Sequence, residues 1–90
     1  MLQNEVKLLV EVISKHGTKT EVDGKEVMQM KFKELFELYK VISNKVVGLL
    51  IRARKYKLVS FEGEMLYQGR DDNVMITMDP TINIEDINFE

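Results

Sequence analysis

Residues 41–60, VISNKVVGLLIRARKYKLVS, contain the most clearly patterned helix of the chain. A helix is predicted from residue 44 to about residue 56, because apolar side chains recur there every three or four positions and form one buried face. Ser43 is the predicted cap, and Ile42 before it is expected to pack on Val47. The residues of the buried face are Val46, Leu49, Leu50 and Ala53.

The opposite face of this helix is basic. At 100° per residue, Lys45, Arg52 and Lys55 fall within roughly 80° of one another, with Gly48 between them. We call these three residues the basic stripe. The charges of the whole chain are segregated in the same way, since residues 41–60 hold five basic residues and no acid, whereas the rest of the chain is neutral or acidic. Such segregation suggests a surface for a charged partner.

Working outward, the patterns predict two further helices and three short strands. A helix from Asn4, its cap, should end at Gly17 in a left-handed conformation, and a polar loop with an Asp23-Gly24 turn should follow. The remaining elements are a strand at 27–30, a helix at 31–39, and strands at 65–68 and 74–78.

This order, α-β-α-α-β-β, is that of a winged helix. The predicted fold is therefore α+β and winged-helix-like, with three helices and a small antiparallel sheet. The turn at residues 69–73 would be the tip of the wing, and the strand near Met28 should pair with the hairpin. Pro80 should end the sheet.

The amino-acid composition excludes most kinds of catalytic and metal site. The chain has 90 residues, no cysteine and one histidine, His16, which excludes disulfide frameworks, thiol nucleophiles and zinc sites built on cysteine or several histidines. No apolar run approaches the length of a membrane span. Glu62, Glu64, Asp71 and Asp72 lack the spacing of a calcium loop and are expected to be solvated turn residues. We expect a non-catalytic intracellular protein without metal or cofactor.

Nucleic-acid binding is the alternative that the fold itself suggests. Lys45, Arg52, Arg54 and Lys55 would contact phosphates, and the start of the helix would face the bases. The isoelectric point near 5.5 argues against this. Asp71 and Asp72 in the wing would also face the phosphate backbone, so nucleic acid is not the expected partner.

The run from residue 41 to residue 78 resembles the Costars family. That family comprises small actin-associated proteins and the C-terminal domain of a larger actin-binding, Rho-activating protein. The resemblance covers roughly residues 5–78 and is densest at the GEML and QGRDD motifs. The matching stretches include residues 45–48, 52–55, 58–59, 61–66 and 68–72.

The resemblance implies a domain at residues 1–78 that binds actin or regulates filament dynamics, with effects on motility or Rho-linked signalling. It implies a cytoplasmic, cytoskeleton-associated protein, with actin contacted directly or through an actin-regulating protein. We expect a monomer. A protein–protein adaptor with another partner remains an alternative. The acidic tail, residues 79–90, is expected to be flexible unless its apolar residues dock, namely Ile82, Ile84, Ile87 and Phe89.

Two contact surfaces are predicted. Actin presents an acidic surface, so the basic stripe together with Arg54 is expected to face it; alternatively, these cations only pair with the acidic wing and tail. The loop from Gln68 to Asn73 is the second candidate, with Gln68, Arg70, Asp71 and Asp72 as contact residues. The alternative there is a turn in which Asp71 or Asp72 binds its own backbone.

Overall fold

The computed structural model describes residues 2–83, 85 and 87. Within them the elements follow the order α-β-β-α-α-β-β. They are α1 Leu2–His16, β1 Thr18–Val22, β2 Lys25–Lys31, α2 Phe32–Tyr39, α3 Val46–Lys55, β3 Val59–Ser60 and β4 Met75–Met78. The fold is α+β, as predicted. The winged-helix label stays a prediction.

The strands form one antiparallel sheet in the order β1-β2-β4-β3. Met28 lies opposite Met78, so the strand near Met28 pairs, as predicted, with the second strand of the predicted hairpin. Asp23 and Gly24 join β1 to β2 with φ of 53° and 79°, the left-handed region that a two-residue hairpin turn requires. The predicted turn at this position is therefore correct.

Two strand predictions are wrong. Residues 18–22, predicted as a loop, form β1; this edge strand is largely exposed, so its sequence carries no apolar alternation. Residues 65–68, predicted as a strand, form no strand, and Val59–Ser60 pairs with β4 instead. Leu66 is buried in the core and anchors this segment as a loop. The sheet therefore has four strands rather than three.

The helix ends also differ in detail. α1 begins at Leu2, so Asn4 lies inside the helix and is not its cap. Gly17 ends α1 without a positive φ; its N–H donates to the carbonyl of Ile13 at 2.8 Å, and a Cβ there would lie 2.6 Å from that oxygen. Close approach rather than left-handed geometry therefore requires this glycine.

α3 begins two residues later than predicted. The Ser43 hydroxyl accepts the N–H of Lys45 at 3.1 Å, but the first helical bond runs from the Leu49 N–H to the Lys45 carbonyl. Ile42 is 44% exposed and is not part of the core, and its packing on Val47 stays a prediction. The connection from α2 is therefore a turn that precedes the helix.

The core lies between the three helices and one face of the sheet. Ile76 and Met78 point into it from β4 while Met75 is exposed, which is the alternation of a strand with one face on the core. The predicted buried face of α3 is confirmed in full. Other fully buried side chains include Val6, Leu9, Ile13, Phe32, Leu35 and Tyr39.

Part of the tail packs against this core. Ile82 and Ile87 are partly buried on it, and Lys7 forms an ion pair with Glu85 at 3.5 Å. Ile84 and Phe89 lie outside the described residues. The tail is expected to be flexible unless its apolar residues dock, and Ile82 and Ile87 do pack on the core. The domain boundary at residue 78 stays a prediction.

Candidate partner-binding surface

The basic stripe lies on the side of α3 that faces away from the core. Lys45, Gly48 and Arg52 line an open groove there, and Lys55 is exposed one turn further along. The helix takes this orientation because its four buried residues, Val46, Leu49, Leu50 and Ala53, fix the opposite face inward. The structure therefore brings the three stripe residues together on one solvent-facing surface.

The stripe cations have no carboxylate partner among the described residues. Five ion pairs occur in that part of the chain, and none contains Lys45, Arg52 or Lys55. The ammonium of Lys55 lies 6.0 Å from the centroid of the Tyr56 ring, which is a weak cation–π contact. Within residues 2–83, 85 and 87, the alternative in which the stripe pairs with the wing or tail therefore has no supporting ion pair.

Arg54 belongs to a different surface. Its guanidinium donates hydrogen bonds to the carbonyls of Gly63 and Glu64 and lies 4.2 Å from the centroid of the Phe61 ring. Arg54 follows Leu50 by four residues and so lies within about 40° of that buried position. It ties the loop after β3 to the end of α3. Its role as a partner contact stays a prediction, but its guanidinium is already bonded within the chain.

The C-terminal end of α3 explains how the chain reaches that loop. The Lys57 N–H donates to the carbonyl of Arg54 at 2.9 Å, and the Leu58 N–H donates to that of Ala53 at 3.0 Å. Lys57 has a φ of 63°, which is the left-handed position of a Schellman motif. The chain therefore reverses at Lys57 and leads through buried Leu58 into β3.

Two acidic side chains of the wing loop, residues 61–74, bond within the loop. Asp71 accepts the Tyr67 N–H at 2.7 Å and forms an ion pair with Arg70 at 2.9 Å. These two interactions, the Arg70 hydrogen bond first, lower the pKa of the Asp71 carboxyl below its ordinary value. Asp72 accepts the Gly69 N–H at 2.8 Å. These bonds form the turn that the alternative interpretation of the QGRDD segment describes.

The same loop completes the start of α2. The carbonyls of Val74 and Asp72 accept the N–H groups of Phe32 and Lys33 at 2.8 and 3.1 Å. Lys31 precedes the helix, and its side chain makes no capping hydrogen bond. Wing-loop carbonyls therefore satisfy donors that a capping side chain satisfies in other helices.

Arg70 is the most accessible charge of the predicted wing contacts. Its guanidinium lies 4.4 Å from the centroid of the Tyr67 ring while it pairs with Asp71. A contact role for Gln68, Arg70, Asp71 and Asp72 stays a prediction. Their geometry shows that at least Asp71 and Asp72 hold the loop in shape.

Other chemistry finds little support in the described part of the chain. No group of three or more His, Asp or Glu side chains there is placed to hold a metal ion. No helix found there is both long and apolar enough to cross a membrane. Tyr39 is the buried side chain with an unbonded hydroxyl, and burial raises its pKa to about 12. It lies in the core rather than on either candidate surface.

Comparison with known proteins identifies relatives of two lengths. The chain is 64% identical over 56 residues to the "Actin-binding Rho-activating protein" of Mus musculus, a match that spans 62% of this chain but only 14% of that protein. It is 42% identical over 79 residues to the "Costars family protein ABRACL" of Xenopus tropicalis, which covers 86% of this chain and 94% of that one.

Structure and family comparisons agree with these relatives. The solution structure of human HSPC280 protein superposes with a TM-score of 0.73 at 39% identity, over 86% of this chain and 89% of that one. The Costars family model matches residues 1–79. The resemblance seen in the sequence is thereby confirmed, and the chain belongs to the Costars family.

Proposed function

We propose that this chain is a non-catalytic module that binds actin through the basic stripe of α3 and so regulates filament dynamics. The observation that carries the proposal is the set of three exposed cations without a carboxylate partner in the described residues. Family membership supplies the partner, because relatives carry the name actin-binding Rho-activating protein. A cytoplasmic, cytoskeleton-associated location follows from the same proposal.

The physical basis is electrostatic complementarity. Opposite potentials on two surfaces accelerate their encounter and fix their orientation, more than they increase affinity. Side chains already paired with carboxylates contribute little to such an attraction, whereas Lys45, Arg52 and Lys55 are available to an acidic surface. Binding should therefore weaken as salt is added.

Charge reversal tests the proposal. A variant with Lys45→Glu, Arg52→Glu and Lys55→Glu is incubated with purified actin filaments and sedimented. We expect its dissociation constant to rise by at least about tenfold, because three attractions become three repulsions. Circular dichroism checks that the fold is retained.

A matched control separates position from net charge. The control carries Lys15→Glu, Lys31→Glu and Lys33→Glu, which are exposed lysines outside the stripe that take part in none of the ion pairs above. It changes the net charge by the same amount and should retain most of the binding. Equal losses in both variants, or no loss in the stripe variant, would contradict the proposal.

The same assay addresses the remaining alternatives. Pelleting of the parent with purified actin establishes direct contact, whereas pelleting only in cell extract indicates an actin-regulating intermediary. Mixed-sequence DNA in parallel tests the nucleic-acid alternative, for which affinity should fall log-linearly and steeply with salt.

A further inference from the structure

Gly48 is the third residue of α3 and lies in its first turn, between Lys45 and Arg52 on the exposed face. Glycine favours a helix less than alanine does, because it loses more conformational freedom on folding. A glycine at such a position therefore calls for a compensating reason.

The folded chain itself supplies none. A Cβ added at Gly48 would meet no atom within 4 Å, and the φ of Gly48 is not positive. Gly17 shows the contrast, since a Cβ there would lie 2.6 Å from the carbonyl oxygen of Ile13. Neither packing nor backbone geometry within the described chain excludes alanine at position 48.

Gly48 lies in a small groove on the surface of α3. Lys45, Gly48, Leu49 and Arg52 line an open groove of about 330 Å³. Gly48 contributes only backbone to this lining, and Lys45 and Arg52 contribute the two cationic side chains. Neither cation has an ion-pair partner among the described residues. A negatively charged side chain in this groove would therefore lie close to two cations.

We propose that Gly48 is the point of closest approach to the partner, where an acidic side chain of the actin filament seats over the helix backbone between Lys45 and Arg52. This inference rests on the proposed function and adds the position of the contact. Any side chain at residue 48 would lift the partner off the helix, because the space that the partner occupies would then hold the new atoms.

Gly48→Ala provides the test, with filament co-sedimentation and thermal unfolding measured on the same variant. The melting temperature should rise by roughly 4–8 °C, because alanine favours the helix and its methyl group meets open space. The affinity for purified filaments should fall by at least about fivefold, because an added methyl group overpacks the interface. Gly48→Leu should reduce affinity further.

The salt dependence distinguishes this steric effect from loss of charge. Gly48→Ala should weaken binding by the same factor at every salt concentration, whereas removing the charge of Lys45 or Arg52 should flatten the dependence on salt. Ser14, an exposed small residue of α1, is the matched control position. Ser14→Ala and Ser14→Leu should leave filament binding unchanged.

The outcomes are separable. If the parent and Gly48→Ala sediment equally with filaments, the contact at Gly48 is overturned and the proposed function stands. If the Ser14 variants lose as much affinity as the Gly48 variants, the effect is general and the contact is likewise overturned. If the parent itself does not bind purified filaments, both the proposed function and this inference are overturned.

Discussion

The basic stripe and the wing loop are both charged surfaces that the sequence predicts as contacts, and the structure uses their charges in different ways. Asp71 and Asp72 accept backbone N–H groups at 2.7 and 2.8 Å and so hold their own loop together. The stripe cations project from the exposed face of α3 and pair with no carboxylate among the described residues. The difference shows that the charges of this turn stabilise the turn itself, whereas the three stripe cations are available to an acidic partner.

Removing the anchor of the wing loop should have the largest effect on stability. Leu66 is 2% exposed, and Leu66→Ala should lower the free energy of unfolding by about 3 kcal/mol, because it leaves a cavity and loosens the loop that caps α2. In the stripe, Arg52→Ala should change it by less than about 0.5 kcal/mol. Urea denaturation measures both; similar costs for the two variants would remove the distinction between the regions.

Acidification should weaken the interactions that stabilise the wing loop and the segment after β4, and should leave the stripe unaffected. Hydrogen bonds from Lys25, and then from Thr81, lower the pKa of the Asp79 carboxyl to about 2. Hydrogen bonds from Arg70 and from the Tyr67 N–H lower the pKa of the Asp71 carboxyl below its ordinary value. The unfolded chain therefore binds more protons, so this stability is complete above about pH 5 and is lost as the pH falls toward 2.

Melting temperatures measured between pH 6 and pH 2 test this account. Asp79→Asn and Asp71→Asn should each flatten the curve below pH 4, because each removes a carboxyl whose pKa differs between the two states. Arg52→Gln in the stripe is the control and should leave the shape of the curve unchanged. A flattened curve for the control alone would reverse the assignment.

A smaller effect than that of Leu66→Ala, and one of opposite sign, should come from the end of α3. Lys57 has a φ of 63° that glycine adopts without strain. Lys57→Gly should raise the free energy of unfolding by about 0.5–1 kcal/mol. Filament binding should be unchanged, since Lys57 is basic but lies outside the stripe. Chemical denaturation and co-sedimentation check the two halves; lost binding at full stability would extend the contact surface past Lys55.

Much of the fold follows from periodicity alone. The buried face of α3 and the inward side of β4 follow from apolar spacing, because both elements have one face on the core. β1 does not follow from it, because its sequence, TKTEV, lies at a solvated edge and has no apolar face to reveal. A two-residue strand such as β3 is too short for any period to appear.

The candidate site was predictable in part for the same reason. The angles between helical positions place the three stripe residues on one side of α3. The same angles place Arg54 beside the buried Leu50, which indicates that Arg54 belongs to a different surface. The anchoring role of Leu66 was not predictable, because Met65, Leu66 and Tyr67 read as a short strand. Only the tertiary position of Leu66 in the core shows that the segment is a loop.

Lysine acetylation footprinting tests most directly whether the stripe is the docking face. The chain is labelled free and bound to purified actin filaments, and the modification rate of each lysine is read by mass spectrometry. The account predicts that Lys45 and Lys55 become several-fold less reactive on binding, while Lys15, Lys31 and Lys33 keep their rates. Protection of those three lysines with Lys45 and Lys55 unprotected would contradict it.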